Sequence, residues 1–247
     1  MLIHTGDART VSFDLRLAAV LSLVAGAVNA AGFRSLGLFS GNMTGNVSAL
    51  SDYLALGHWG LAGWAVSLVA AFVAGAFTSA LLIEIGQNRR VHGIYAYAIL
   101  AEAVLLALVG AADAALPPGP GDPLVLVGVA FAMGLQNAAT TRISDSRVRT
   151  THVTGIATDI GVELAILLGG ARSQSGPAVV RHRLALHGVT LAAFVIGGLG
   201  GVLAYGVAGA GLFVLAAAVL VAVALPEARK ARAAGRDAGR DADQGAG

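Results

Sequence analysis

The 247-residue chain has no cysteine, which removes disulfides, thiolate metal sites and a cysteine nucleophile. Lysine occurs once, at Lys230, and no phosphate-cradling glycine loop with its lysine is present. Neither a metal-spaced histidine pair of the HExxH type nor a nucleophile elbow occurs. These absences lead to the expectation that the chain is not an enzyme and holds no metal or cofactor. Energy coupling by ATP would need a partner protein. Charge is scarce too: Asp, Glu, Lys and Arg make up 12% of the residues, about half the share in a soluble domain.

Apolar residues fill the space left. They make up 56% of the chain, and the mean hydropathy is +0.76. Five runs of roughly 18–23 residues are long enough to cross a hydrocarbon core of about 30 Å. They are Leu61–Ile83, Gly93–Ala112, Leu124–Thr141, Leu184–Gly206 and Val207–Leu225, and only the second carries a formal charge, Glu102. A sixth, Leu15–Phe33, begins beside Arg16. Val28-Asn29-Ala30 fits a signal-cleavage pattern, yet the internal counterpart of this run favours a retained helix. Residues 1–14 read as a cytoplasmic N-terminal segment, 15–225 as the membrane domain, and 226–247 as a disordered tail without an apolar face.

The two halves of the membrane domain match in order, about 15–112 against about 124–225. Gly26, Asn29, Ala30 and Ala31 answer Gly134, Asn137, Ala138 and Ala139. Thr44-Gly45 then answers Thr154-Gly155, and Phe72 with Gly75 answers Phe194 with Gly197. Three ordered matches indicate a duplication. Between the spans of each half lies a polar Thr-Gly segment, "SGNMTGNVSALSD" in the first and "THVTGIATDIGVE" in the second.

Arginine placement decides whether these segments cross. If both cross, Arg89-Arg90 and Arg142–Arg149 fall outside, against the cytoplasmic bias of Lys and Arg. If both are re-entrant or broken, six spans remain, and the N-terminus, Arg89-Arg90, Arg142–Arg149, Arg172–Arg183 and the tail are all cytoplasmic. Arg34 alone is then external. Three spans per half make the repeats inverted. The expected fold is therefore an all-α polytopic bundle of six spanning helices and two re-entrant or broken Thr-Gly helices.

"GLFSGNMTGNV", "FAMGLQNAATTRI" and "RTTHVTGIATDIG", in that order, resemble the YoaK family, a family of unknown function sometimes described as predicted permeases. The resemblance covers roughly residues 15–225. It implies a multi-pass protein of the bacterial inner membrane but no established substrate.

Inverted repeats with interrupted helices place solute sites near the bilayer midplane. The expected site residues are Asn42, Thr44, Gly45 and Asn46 from the first Thr-Gly segment, and His152, Thr154 and Gly155 from the second. Asn29 and Asn137 join them from the preceding spans, where such amides also serve as packing glue with Gln136. Thr44 is expected to cap a short helix whose N-terminus offers free N–H groups; the alternative is that these residues only cap and pack. Asp52, Glu102, Asp159 and Glu163 are carboxylates in membrane segments, costly to place there and therefore candidates for proton coupling. His187 reads as an interfacial histidine. The expected function is a transporter or permease for an unidentified small solute, with a non-transporting scaffold or regulatory protein as the alternative. The lipid bilayer is the expected surrounding partner and nucleic acid is not; self-association into a homo-oligomer stays open.

Overall fold

The computed structural model describes residues 2, 10–36, 39–116, 123–169 and 176–244, and among them every regular element is a helix. The order is α1 (Val11–Leu36), α2 (Met43–Ala55), α3 (Trp59–Asn88), α4 (Ile94–Ala115), α5 (Pro123–Ile143), α6 (Val153–Leu168), α7 (Gly176–Ala208) and α8 (Gly211–Gln244). Six of these, all but α2 and α6, are long and apolar enough to cross a membrane. At a 1.5 Å rise the 13 residues of α2 and the 16 of α6 reach only about 20 and 24 Å. Neither reaches across alone. Phe77, Leu108, Val195 and Leu199 are 60–66% exposed on long helices, an apolar outer surface suited to lipid.

Side-chain contacts fix which helix ends lie together. Glu84 near the end of α3 pairs with Arg142 near the end of α5. Arg147, just after α5, reaches Asp14 at the start of α1 at 3.4 Å. The Leu2 amide donates to Glu227 of α8 at 3.1 Å. These groups define one face, which carries Arg89, Arg90, Arg142, Arg147, Arg181 and Arg183. On the opposite face the Tyr205 hydroxyl donates to Asp113, joining the far ends of α7 and α4. Helices α1 and α5 therefore run in opposite directions, as inverted repeats require.

The halves are not two bodies side by side. Helix α1 of the first repeat packs mainly on α7 of the second, and α5 of the second packs mainly on α3 of the first. Glycine makes both contacts close. A Cβ on Gly26 would collide with the Phe194 carbonyl, and one on Gly134 with that of Phe72. In the reverse direction Gly197 meets Leu23 and Gly75 meets Phe131. All four contacts interchange under the repeat correspondence. Gly75 and Gly197 thus serve close helix packing. Helices α4 and α8, the last of each half, pack on each other.

Two expectations change. The sixth span begins at Gly211 rather than Val207, because Gly209 at φ +53° turns the chain. The tail expected to be disordered is helical from Pro226 to Gln244 as an extension of α8. Its Ala228 and Ala231, three apart on one helical face, are buried, and Ala231 lies against Gly93 at the start of α4. The charged residues between them had masked that face. Arg172, the side chain of Arg34 and the turn at 117–122 lie outside the described residues.

Gly134→Ala should destabilise the bundle by about 1–3 kcal/mol, since backbone rather than a flexible side chain must move. Gly200→Ala, with nothing within 4 Å, should be neutral or slightly stabilising. Thermal unfolding of the two variants in one detergent checks the contrast.

Candidate functional site

The polar Thr-Gly segments start helices in the protein interior. In the first, Asn42 occupies the N-cap, and its Oδ1 accepts from the Gly45 amide at 3.1 Å. Asn42, not Thr44, is the cap: Thr44 already lies inside the first turn, while Asn42 precedes it and reaches back over it. The second helix has His152 at the same place, with no cap hydrogen bond from its ring. In both helices the glycine makes room for the cap residue. A Cβ on Gly45 would strike the Asn42 amide, and one on Gly155 would strike the His152 ring. This accounts for the paired Thr-Gly motif.

The two helix starts face a shared cavity of about 530 Å³. Its walls come in repeat-related pairs: Asn29 with Asn137, Phe72 with Phe194, and Thr44 with Thr154. Asn42 faces His152 across the same relation, and Gly41 faces Thr151. Each asparagine secures the loop that leads into the neighbouring helix start. Asn29 Oδ1 accepts from the Gly41 amide at 2.7 Å, and Asn137 Oδ1 accepts from the Thr151 hydroxyl at 3.1 Å. These amides thus hold the backbone that leads into each short helix, as well as lining the space. Of the expected residues, Gly45, Asn46 and Gly155 are absent from the wall. Asn46 is buried and donates from Nδ2 to the Phe39 carbonyl at 2.8 Å.

The pairs are not all matched in charge. Arg149 stands on the wall where the first repeat has Phe39, and its guanidinium lies 3.5 Å from His152 Nδ1. Among the described residues no Asp or Glu lines this cavity. The expected carboxylates lie elsewhere. Asp52 is exposed on the outer part of α2. Glu102 is fully buried on α4 and takes a 2.9 Å hydrogen bond from Gln136 Nε2. Gln136 Oε1 in turn accepts from Thr150 at 2.9 Å, and Thr150 also lies 3.5 Å from Asn137 Oδ1. A polar chain therefore runs from Glu102 to the cavity wall. The other Glu102 oxygen, Oε2, has no hydrogen-bond partner among the described residues.

Asp159 and Glu163, four apart on α6, share a face as their spacing requires, and both meet His187 of α7. Glu163 Oε2 lies 3.1 Å from Nδ1 and Asp159 Oδ2 lies 3.9 Å from Nε2. The cluster lines a second cavity of about 520 Å³ on the arginine-bearing face. His187 is therefore not merely interfacial. Sequence reasoning also missed Arg149, Thr151 and the two phenylalanines as wall residues, although the phenylalanines were already visible as repeat matches. Among the described residues no group of His, Cys, Asp and Glu is suited to hold a metal ion.

Gln136→Leu should cost about 1–3 kcal/mol, because Glu102 and Thr150 each lose a buried partner. Adding Glu102→Leu should recover part of that loss, since both ends of the first bond are then apolar; a double-mutant cycle by thermal unfolding reads the coupling.

No curated protein and no solved structure matches the chain. Residues 17–225 match the family model described as Protein of unknown function (DUF1275), which includes YoaK-like proteins. A match over most of its length, together with an all-helical bundle of six candidate spans, places this multi-pass membrane protein in the DUF1275 family.

Proposed function

We propose that the protein is a transporter or permease for a small solute, non-enzymatic, bound in the cavity between the starts of α2 and α6. One observation carries the reading: the cavity is walled by repeat-related residues from two oppositely directed halves. Inverted repeats with interrupted helices form such sites in secondary transporters, where each half gates one side. The apolar rings of Phe72 and Phe194 and the polar Asn29, Asn137, Thr44 and Thr154 suit a solute with both kinds of surface. Glu102 and the Asp159–Glu163 pair are the groups through which a proton would be coupled. The protein resides in the bacterial inner membrane, with the arginine-bearing face and both termini cytoplasmic.

Counterflow into proteoliposomes with a panel of radiolabelled sugars, amino acids and organic acids tests this. At least one solute should accumulate. Thr44→Val should reduce its initial rate about tenfold or more, and Glu102→Gln should abolish pH-driven accumulation, in protein that unfolds at an unchanged temperature. If no solute moves, and both variants behave as the parent does in cells, the protein is a scaffold or regulator instead.

The absence of cysteine makes orientation easy to read. A cysteine at His58 should react with a membrane-impermeant maleimide in intact cells, while cysteines at Arg90 and Ser146 stay protected until the membrane is opened. The reverse pattern places the arginine-bearing face outside.

A further inference from the structure

The second repeat carries a charged cluster that the first repeat lacks. His187 is clamped between Glu163 and Asp159 at 3.1 and 3.9 Å. At the corresponding positions of the first repeat stand Ala65, Tyr53 and Ala49. Those three cannot exchange a proton near neutral pH. The duplication therefore holds one imidazole–carboxylate clamp, on one side only.

The clamp sits between two spaces. Its own cavity, of about 520 Å³, lies on the arginine-bearing face, among the starts of α1 and α7 and the segment after α5. Next to it lies a small third cavity of about 130 Å³, whose lining includes Asp159 and His187 as well as Arg149 and His152. Arg149 and His152 are also wall residues of the main cavity. Wall residues shared between neighbouring spaces thus mark a polar route past the clamp, from one face of the bundle to the central cavity.

We propose that His187, with Asp159 and Glu163, is a proton-binding gate on this route: the imidazolium form holds both carboxylates and keeps α6 against α7, and loss of the proton releases one of them. The proton comes from water in the second cavity and returns to it, or passes inward to His152. Protonated imidazole has two N–H donors and can satisfy both carboxylates; the neutral ring has one. Asp159, whose side chain is 58% exposed, is the partner that leaves, because Glu163 is closer and 8% exposed. Other charged groups face the clamp. From α7 itself come His182 and Arg183, and from the segment after α5 comes Arg147. Asp14 of α1 lines the same cavity and is paired with Arg147. The use of this proton for solute movement rests on the carrier reading above; the gate itself does not.

A single cysteine at Thr190, which is buried and lines the third cavity, reports the gate in the full chain in nanodiscs. Its rate of modification by methanethiosulfonate ethylammonium is measured from pH 5.5 to 8.5. Dividing by the rate of a reference cysteine at the exposed His58 removes the pH dependence of the reagent and of an ordinary exposed thiol, and the variants below, which keep the Thr190 cysteine, control for that of the buried one. The normalised rate should rise at least fivefold with pH. Either His187→Gln or the exposed-side variant Asp159→Asn should flatten the curve, whereas Glu84→Gln, at an ion pair elsewhere, should leave it intact. A flat curve in the parent overturns the proposal, as does a curve that survives both His187→Gln and Asp159→Asn. Solute counterflow is scored separately: a pH-dependent curve without any flux retains the gate and removes the carrier, and flux with a flat curve does the reverse.

Discussion

Backbone approaches backbone at Gly26, Gly75, Gly134 and Gly197, and the rest of the architecture depends on it. In a bilayer, helices gain little from burying apolar side chains against one another, because lipid is as apolar as leucine. Close packing takes over that role. Each glycine lets the partner helix come near enough for extensive dispersion contact. The four sites join α1 to α7 and α3 to α5, so the strongest contacts lie between the repeats rather than within them. The central cavity is held between these two tight pairs, with Phe72 and Phe194, whose carbonyls receive the glycines, also on its wall.

On that symmetric frame the polar groups are distributed unequally. In the second repeat Thr150 finds Gln136, and Gln136 reaches across to Glu102 of the first. The first repeat has Ser40 in place of Thr150 and Val28 in place of Gln136, and the buried Ser40 hydroxyl has no hydrogen-bond partner among the described residues. The same inequality appears at Arg149 against Phe39 and at His187 against Ala65. Each substitution adds polar function to one half, while the other keeps an apolar or orphaned counterpart. Burying such groups is costly unless they are paired, and in the second repeat most are. A two-fold frame with one-sided chemistry can bind symmetrically yet respond to only one side of the membrane.

Much of the fold was legible in the chain. The six spans follow from unbroken apolar runs, and the exclusion of α2 and α6 from them follows from the arginine distribution. Thr44, Thr154, Asn29 and Asn137 could be grouped by the repeat, and they line one cavity. What stayed hidden depends on pairings between helices distant in sequence. Nothing local ties Glu102 to Gln136, or His187 to Asp159 and Glu163. The helical tail was missed for a different reason: two alanines among charges are a weak apolar signal until Gly93 is known to lie opposite.

The interlocked pairing has a consequence for how the chain is made. Helix α1 leaves the ribosome early, but its partner α7 starts only at Gly176. At about 5–20 residues per second, the wait is on the order of 10 s. During it the groove around Gly26 has no partner, and α3 likewise waits for α5. The first half inserts as an unfinished surface that the second half must complete. The bundle therefore cannot close until the second half has been made.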